Sequence, residues 1–310
     1  MKRIFTFWEP REAKPGYLEL CLETWRRFLP EYEIVELDYS NLDQWLGRDC
    51  FAASLYTNFS LSKQVNALRC AVLRRWGGVW FDADTIVTSG KARALLSQDS
   101  DFVLIGTHIA FIAARKDAYV LKKWERRLRL FISFHDFCRR RGFAWRRLER
   151  WGTTGNMILN GILRLRTLKQ FTSLDSEEIK ALPEINHAGE GRPQTPAVKA
   201  ETWNSRRRFY SGPGFTSRPI KNAWAALRNL FWLAFQRALS PPPLRPGSRP
   251  EKYRDFYFEH DFSDYALENS GGLILLHNSW TPENYKTMNR EEFLRQNTTL
   301  ANIFRKLLEA

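Results

Sequence analysis

Acidic residues are missing from one long stretch of this chain. Between Thr202 and Pro250 there is no Asp or Glu, while bases recur from Arg206 to Arg249. Over all 310 residues, 48 Lys and Arg stand against 34 Asp and Glu, a formal net charge of +14. Such a chain is drawn to anionic partners, whether phospholipid, nucleic acid or a polyanionic substrate. Cysteine is also scarce. Cys21, Cys50, Cys70 and Cys138 show no metal-type C-x-x-C spacing, which argues against a structural zinc site. They read as reduced thiols filling core in a cytosolic protein. Long hydrophobic runs are lacking at the start, where Met1 to Phe5 leads directly into a strand. No signal peptide or spanning helix is expected there.

What is present suffices for a sizeable core. Hydrophobic residues make up 44% of the chain and aromatics 14%, with 12 Trp. That supports one large domain, or one domain with a smaller subdomain. Lys2 to Phe7 reads as a strand, Gly16 to Phe28 as a helix with Leu18, Cys21, Leu22, Trp25 and Phe28 at helical spacing, and Tyr32 to Leu37 as a second strand. This β-α-β opening is the usual start of an α/β nucleotide-binding sheet. Ser62 to Trp76 reads as a helix with Val65, Leu68, Val72 and Trp76 along its apolar stripe, stopped by Gly77-Gly78. Val79 to Phe81 is a short buried strand, and Asp82-Ala83-Asp84 stands at its carboxyl end, the edge where open α/β sheets bind ligands. Continued strand alternation would send both carboxylates to one side and Ala83 to the other. Further strands are expected at Asp101 to Ile105 and Ala110 to Ala114, then a helix near Asp117 to Leu128.

The middle of the chain changes character. Lys122 to Arg150 is basic and aromatic. Arg218 to Leu239 places Trp224, Leu227, Phe231 and Phe235 on one helical face, with Lys221 and Arg228 flanking it. Such a helix fits either an anionic membrane surface or the core of a subdomain. Ordinary composition returns near Glu251, with an apolar strand at "GLILLHNSW" and a closing helix from Arg290 to Leu308. The expected organisation is a nucleotide-binding core over 1–120, a basic, largely helical region over 121–250, and a return to the core over 251–310.

An isolated D-x-D is short and common. Here it closes a compact unit of Arg-bearing helix, Gly-Gly stop and apolar strand. Asn66 and Arg69 lie three apart on that helix and share a face. The stretch "NALRCAVLRRWGGVWFDADT" resembles the core signature of family 32 glycosyltransferases and of the related capsular-polysaccharide-synthesis glycosyltransferases. It is also similar to the glucosylating domain of large clostridial toxins. The family's Ser and Asp are replaced here by Val65 and Asn66. An amide can bond a sugar hydroxyl, but it cannot accept two donors as a carboxylate does.

The resemblance implies a GT-A fold, a nucleotide-sugar donor (UDP-sugar or GDP-sugar), Mn²⁺ or Mg²⁺, and retention at the anomeric carbon. It implies that Asp84 binds the metal, that Asp82 faces ribose and sugar hydroxyls, and that Arg69 offers donors to sugar or phosphate. Trp8, ending the first strand, matches an aromatic that stacks on the base. His277, Asn278, Ser279 and Trp280 match a late element that closes over the diphosphate, with His277 a third metal ligand. Thr154, Gly155 and Asn156, in "GTTGN", match a turn on the acceptor side. The implied acceptor is a saccharide, lipid-linked or belonging to a bacterial surface polysaccharide, handled at the inner face of the cytoplasmic membrane.

Other readings compete. A toxin-like enzyme would glycosylate protein instead. A nucleic-acid-binding protein would explain the charge, but the chain has no zinc spacing, no aromatic RNP-like strand and no helix-turn-helix. A metal-dependent hydrolase would want more acidic or His ligands close in sequence.

Overall fold

The computed structural model describes residues 2–47, 50–96, 101–105, 108–142, 153–163, 171–174 and 249–309. Strands β1 (Lys2–Phe7) and β2 (Tyr32–Leu37) flank helix α1 (Gly16–Phe28), each with the bounds the sequence implies. Short helices α2 (Leu42–Leu46) and α3 (Ser54–Asn58) lead to α4 (Leu61–Trp76), β3 (Gly78–Phe81) and β4 (Thr85–Val87). After α5 (Ala92–Leu96) come β5 (Phe102–Ile105), β6 (His108–Ala114), α6 (Tyr119–Arg140), α7 (Asn156–Leu163) and β7 (Phe171–Leu174). Beyond residue 249 the strand β8 (Leu273–Leu275) and a final helix (Thr299–Leu308) concern the site most.

The main sheet has six strands in the order β2-β1-β3-β6-β5-β7. β1 runs parallel to β2 and β3, while β6 is antiparallel to β3 and β5. A second sheet pairs β4 with β8 antiparallel. The α/β class expected from the sequence is therefore present, with a parallel half, one reversed strand and a small second sheet. The antiparallel β6 and the small sheet were not legible in advance.

Both faces of the sheet are covered, and residues alternate between them. Phe5, Trp80 and Ile112 pack with Leu68, Val72, Leu121 and Trp124 of α4 and α6. Ile4, Val79, Phe81 and Phe111 pack on the other side with Leu22, Trp25, Leu273 and Leu275. Strands buried on both faces read as apolar runs, as "GVWF" does. Helix α4 is buried around much of its circumference, including Asn66 and Arg69, while Trp76 is 41% exposed and leaves the expected stripe.

Gly77 and Gly78 connect α4 to β3 and both have positive φ, 67° and 100°. A Cβ on Gly77 would lie 2.7 Å from the Lys116 nitrogen, and one on Gly78 2.7 Å from the Arg3 carbonyl oxygen. Only glycine meets both demands. Helix α6 runs to Arg140, beyond the expected Leu128, because Ile132, His135 and Cys138 continue its buried face. The closing helix is instead two, Arg290–Leu294 and Thr299–Leu308; Thr298 caps the second by accepting from the Ala301 N–H.

The chain divides into two compact units, Met1–Glu184 with Arg254–Ala310, and Ile185–Tyr253. Of the second, only 249–253 is described. The amphipathic segment Arg218 to Leu239 therefore lies outside the described residues. All four cysteines are free thiols.

Candidate active site

Strand β3 ends at Phe81, so Asp82 is delivered to the edge of the sheet between β1 and β6. The Asp82 N–H donates to the Ala110 carbonyl at 2.8 Å, and the Thr85 N–H donates back to the Asp82 carbonyl at 3.0 Å. Asp82 to Asp84 is thus a tight turn between β3 and β4, not a continuation of the strand. The two carboxylates are gathered by that turn rather than by strand alternation.

The carboxylates have different surroundings. Asp82 Oδ1 accepts from the Trp80 indole N–H at 2.8 Å and from Arg69 Nη2. The Arg69 guanidinium lies 5.0 Å from the Trp80 ring centre, so a cation–π contact also holds it. Arg69 is almost wholly buried, whereas the Asp82 side chain is 34% exposed. Burial pulls the Arg69 pKa below its ordinary value, opposed by Asp82 and Asp84. Its Nε and Nη1 are buried and without hydrogen-bond partners. Two donors of a fixed cation therefore await an acceptor.

Asp84 is pinned on its other side by the segment after β8. Its carbonyl accepts from the Leu276 N–H at 3.0 Å, and its Oδ2 accepts from the Asn278 N–H at 2.7 Å. Its pKa is pushed up to about 7, first by the loss of water around it and then by the charge of Asp82. The Asn278 N–H and Arg69 act the other way. Buried Tyr17, on α1, donates its hydroxyl to Asn278 Oδ1 and so steadies the same segment. His277 packs its ring 4.1 Å from that of Trp280.

Arg69, Asp82, Asp84, His277 and Asn278 line one cleft of about 360 Å³. The structure brings Trp8, Asn66, Arg69, Asp82, Asp84, Asn156, His277 and Ser279 together on its walls. Sequence reasoning passed over Phe7, Ile109 and Ala110, which also line it, because apolar wall residues carry no chemical signature. It also passed over Tyr17 and Trp80, whose roles lie in one hydroxyl and one indole N–H. Trp280 is not among the lining residues, and neither are Thr154 and Gly155, which lie behind Asn66. Among the described residues, no three His, Cys, Asp or Glu side chains converge to hold a metal ion. Asp82, Asp84 and His277 do not by themselves make a closed metal centre.

The fold and the cleft define the class, an α/β sheet with paired carboxylates in a cleft at its edge. Residues 1–137 match the family model described as capsular polysaccharide synthesis protein. The resemblance to the capsular-polysaccharide-synthesis family is borne out over that span. No curated protein matches the chain. Among solved structures, the galactosyltransferase LgtC in complex with donor and acceptor sugar analogues is similar at 10% identity and a TM-score of 0.37, covering 64% of this chain and 81% of that one. The PaToxG glycosyltransferase is similar at 14% identity and a TM-score of 0.37, covering 70% and 80%. The glycosyltransferase GlyE of Streptococcus pneumoniae, in its apo form, is similar at 14% identity and a TM-score of 0.31, covering 68% and 52%. Likenesses this distant do not decide the reaction.

Proposed function

We propose that this chain is a metal-dependent, retaining glycosyltransferase. It moves a sugar from a nucleotide-sugar, a UDP-sugar by preference, to a saccharide acceptor that is lipid-linked or part of a bacterial surface polysaccharide. The observation that carries the proposal is the meeting of Asp82, Asp84, Arg69 and the His277–Ser279 segment in one cleft at the sheet edge.

The donor set fits a hard divalent cation. Asp84 is a carboxyl held near its neighbour's charge with little water, an arrangement that a cation relieves. With Asp82 engaged by Arg69 and Trp80, Asp84 would be the main protein ligand of such an ion, with Asp82 and His277 as further candidates. When bound, the cation stabilises the charge that develops on the leaving diphosphate.

The chain's own residues do the rest. Arg69 holds its guanidinium fixed, with two buried donors turned to no protein group, so it can bind a phosphate or sugar oxygen without reorganising. Trp8, at the end of β1, offers an aromatic face on the cleft wall for the base. His277 and Ser279 face the diphosphate side. The acceptor approaches from the side of Asn156. The basic middle of the chain would hold the enzyme against an anionic membrane at its inner face.

The test is a donor screen. UDP-, GDP- and dTDP-sugars with Mn²⁺ are scored for hydrolysis and for protection against thermal unfolding, and the product anomer is read by NMR. Protection and turnover by one nucleotide-sugar, lost in chelator and in Asp84→Ala, are the expected results. Full turnover in excess chelator would remove the metal, and an inverted anomer would remove retention.

A further inference from the structure

We infer that the Thr153–Gly155 turn sets the orientation of the Asn66 amide, so that Asn66 presents its carbonyl oxygen to the cleft and reads a hydrogen-bond donor on the transferred sugar. Thr154 is then a positioning residue, acting through Asn66. This inference rests on the nucleotide-sugar reading of the cleft.

The geometry runs outward from the turn. Thr154 is completely buried, and its hydroxyl donates to the Lys63 carbonyl at 3.2 Å. With its proton committed there, the hydroxyl oxygen can only accept. Asn66 Nδ2 supplies that bond at 3.3 Å. Turning the amide over would set Oδ1 against the hydroxyl oxygen, and Thr154 would have to abandon Lys63 to bond it. The turn is itself anchored, because the Trp124 indole N–H donates to the Thr154 carbonyl at 2.9 Å. Gly155 closes on the amide so tightly that a Cβ would lie 2.8 Å from Asn66 Nδ2 and 2.7 Å from Ile109 Cδ1. The Asn66 side chain is therefore held from behind by a fixed acceptor and a missing Cβ.

Its other face belongs to the cleft. Asn66 lines the cleft, and no described residue donates to its Oδ1. Oδ1 is thus a neutral acceptor. One turn along α4, Arg69 offers Nε and Nη1, two buried donors without partners. An acceptor and a pair of donors three residues apart on one helix face suit adjacent hydroxyls of a neutral sugar. One hydroxyl donates to Asn66, and a neighbouring oxygen accepts from Arg69. A phosphate oxygen, having nothing to donate, gains nothing from Asn66. The contribution of Thr154 and Asn66 should then appear only when the sugar is attached.

Binding of paired probes tests this. UDP-glucose, UDP-galactose, UDP-N-acetylglucosamine and GDP-mannose are titrated against the native protein beside UDP and GDP. If none of the sugars binds, the nucleotide-sugar reading itself fails. With a sugar that binds, Thr154→Val should weaken the nucleotide-sugar roughly 5- to 10-fold, as for one lost hydrogen bond. It should leave the bare nucleotide within about 2-fold, and Thr154→Ser should restore the native value. Asn66→Ala should show the same loss. The double variant should be no weaker than Asn66→Ala alone, because Thr154 acts only through Asn66. Equal loss of nucleotide and nucleotide-sugar, failure of Ser to rescue, or losses that multiply in the double variant would overturn the inference. Should Thr154→Val fail to fold, Asn66→Ala and Thr154→Ser decide: an unchanged preference for nucleotide-sugar over nucleotide in Asn66→Ala overturns it, and a loss there with native binding in Thr154→Ser supports it.

Discussion

Asp84 costs the folded chain stability, and the cost depends on pH. An Asp in water ionises near about 3.9. Asp84 in the folded chain ionises at about 7. Between those values the folded chain holds a proton that the unfolded chain has lost, so stability falls as pH rises from about 4 to about 7. Asp84→Asn removes the charge and keeps an oxygen for the Asn278 N–H. In chelator at about pH 8 the variant should melt a few degrees above the native protein, and the gap should close as pH is lowered to about 4. Thermal melts across this range check it, and a gap independent of pH would mean that Asp84 titrates normally. Trp8 makes a second prediction at this scale. Its indole N–H is buried without a partner while the ring stands on the cleft wall. Trp8→Ala should weaken nucleotide binding by about 1–3 kcal/mol, as for a lost base–aromatic stack. Unchanged affinity and unchanged quenching of tryptophan fluorescence by nucleotide would make Trp8 plain core.

At the scale of elements, what could be read from the sequence was what local chemistry dictates. β1, α1 and β2 follow from periodicity, and Gly77-Gly78 marks the end of α4 because no other residue fits its two backbone positions. What could not be read depends on partners distant in sequence. Thr85–Val87 becomes a strand only because Leu273–Leu275 pairs with it. The turn at Asp82 to Asp84 follows from that pairing, and so does the placing of His277 and Ser279 opposite Asp84. The same remoteness hid the partner of Thr154, a residue that the resemblance set on the acceptor side and that the fold sets against Asn66. Tyr17 joins α1 to the segment after β8 through one hydroxyl. Tyr17→Phe should cost about 1 kcal/mol of stability. It should also speed amide hydrogen exchange at Leu276 to Thr281 while leaving α4 unchanged. Equal acceleration in both places would show that the hydroxyl supports the whole core instead.

For the whole molecule, the excess of base predicts which surfaces attract it. Among the described residues no helix is long and apolar enough to cross a membrane. A net charge of +14 nonetheless predicts attraction to anionic lipid. The protein should float with anionic vesicles and not with neutral ones. Salt at about 0.5 M should weaken that binding without abolishing it if the Trp224 and Phe231 side chains enter the bilayer. A Trp224→Glu, Phe231→Glu double variant that floats as well as the native protein would place the attraction elsewhere on the surface. The small sheet has a further consequence, in the order of synthesis. One wall of the cleft, from β1 to Asp84, is synthesised well before the facing wall, which waits for residues 273–279. A ribosome-bound chain can fold the central strands and still lack the segment that pins Asp84. Until residues 273–279 emerge, the nascent chain lacks one side of the cleft and the N–H that holds Asp84, so the site cannot assemble ahead of that late segment.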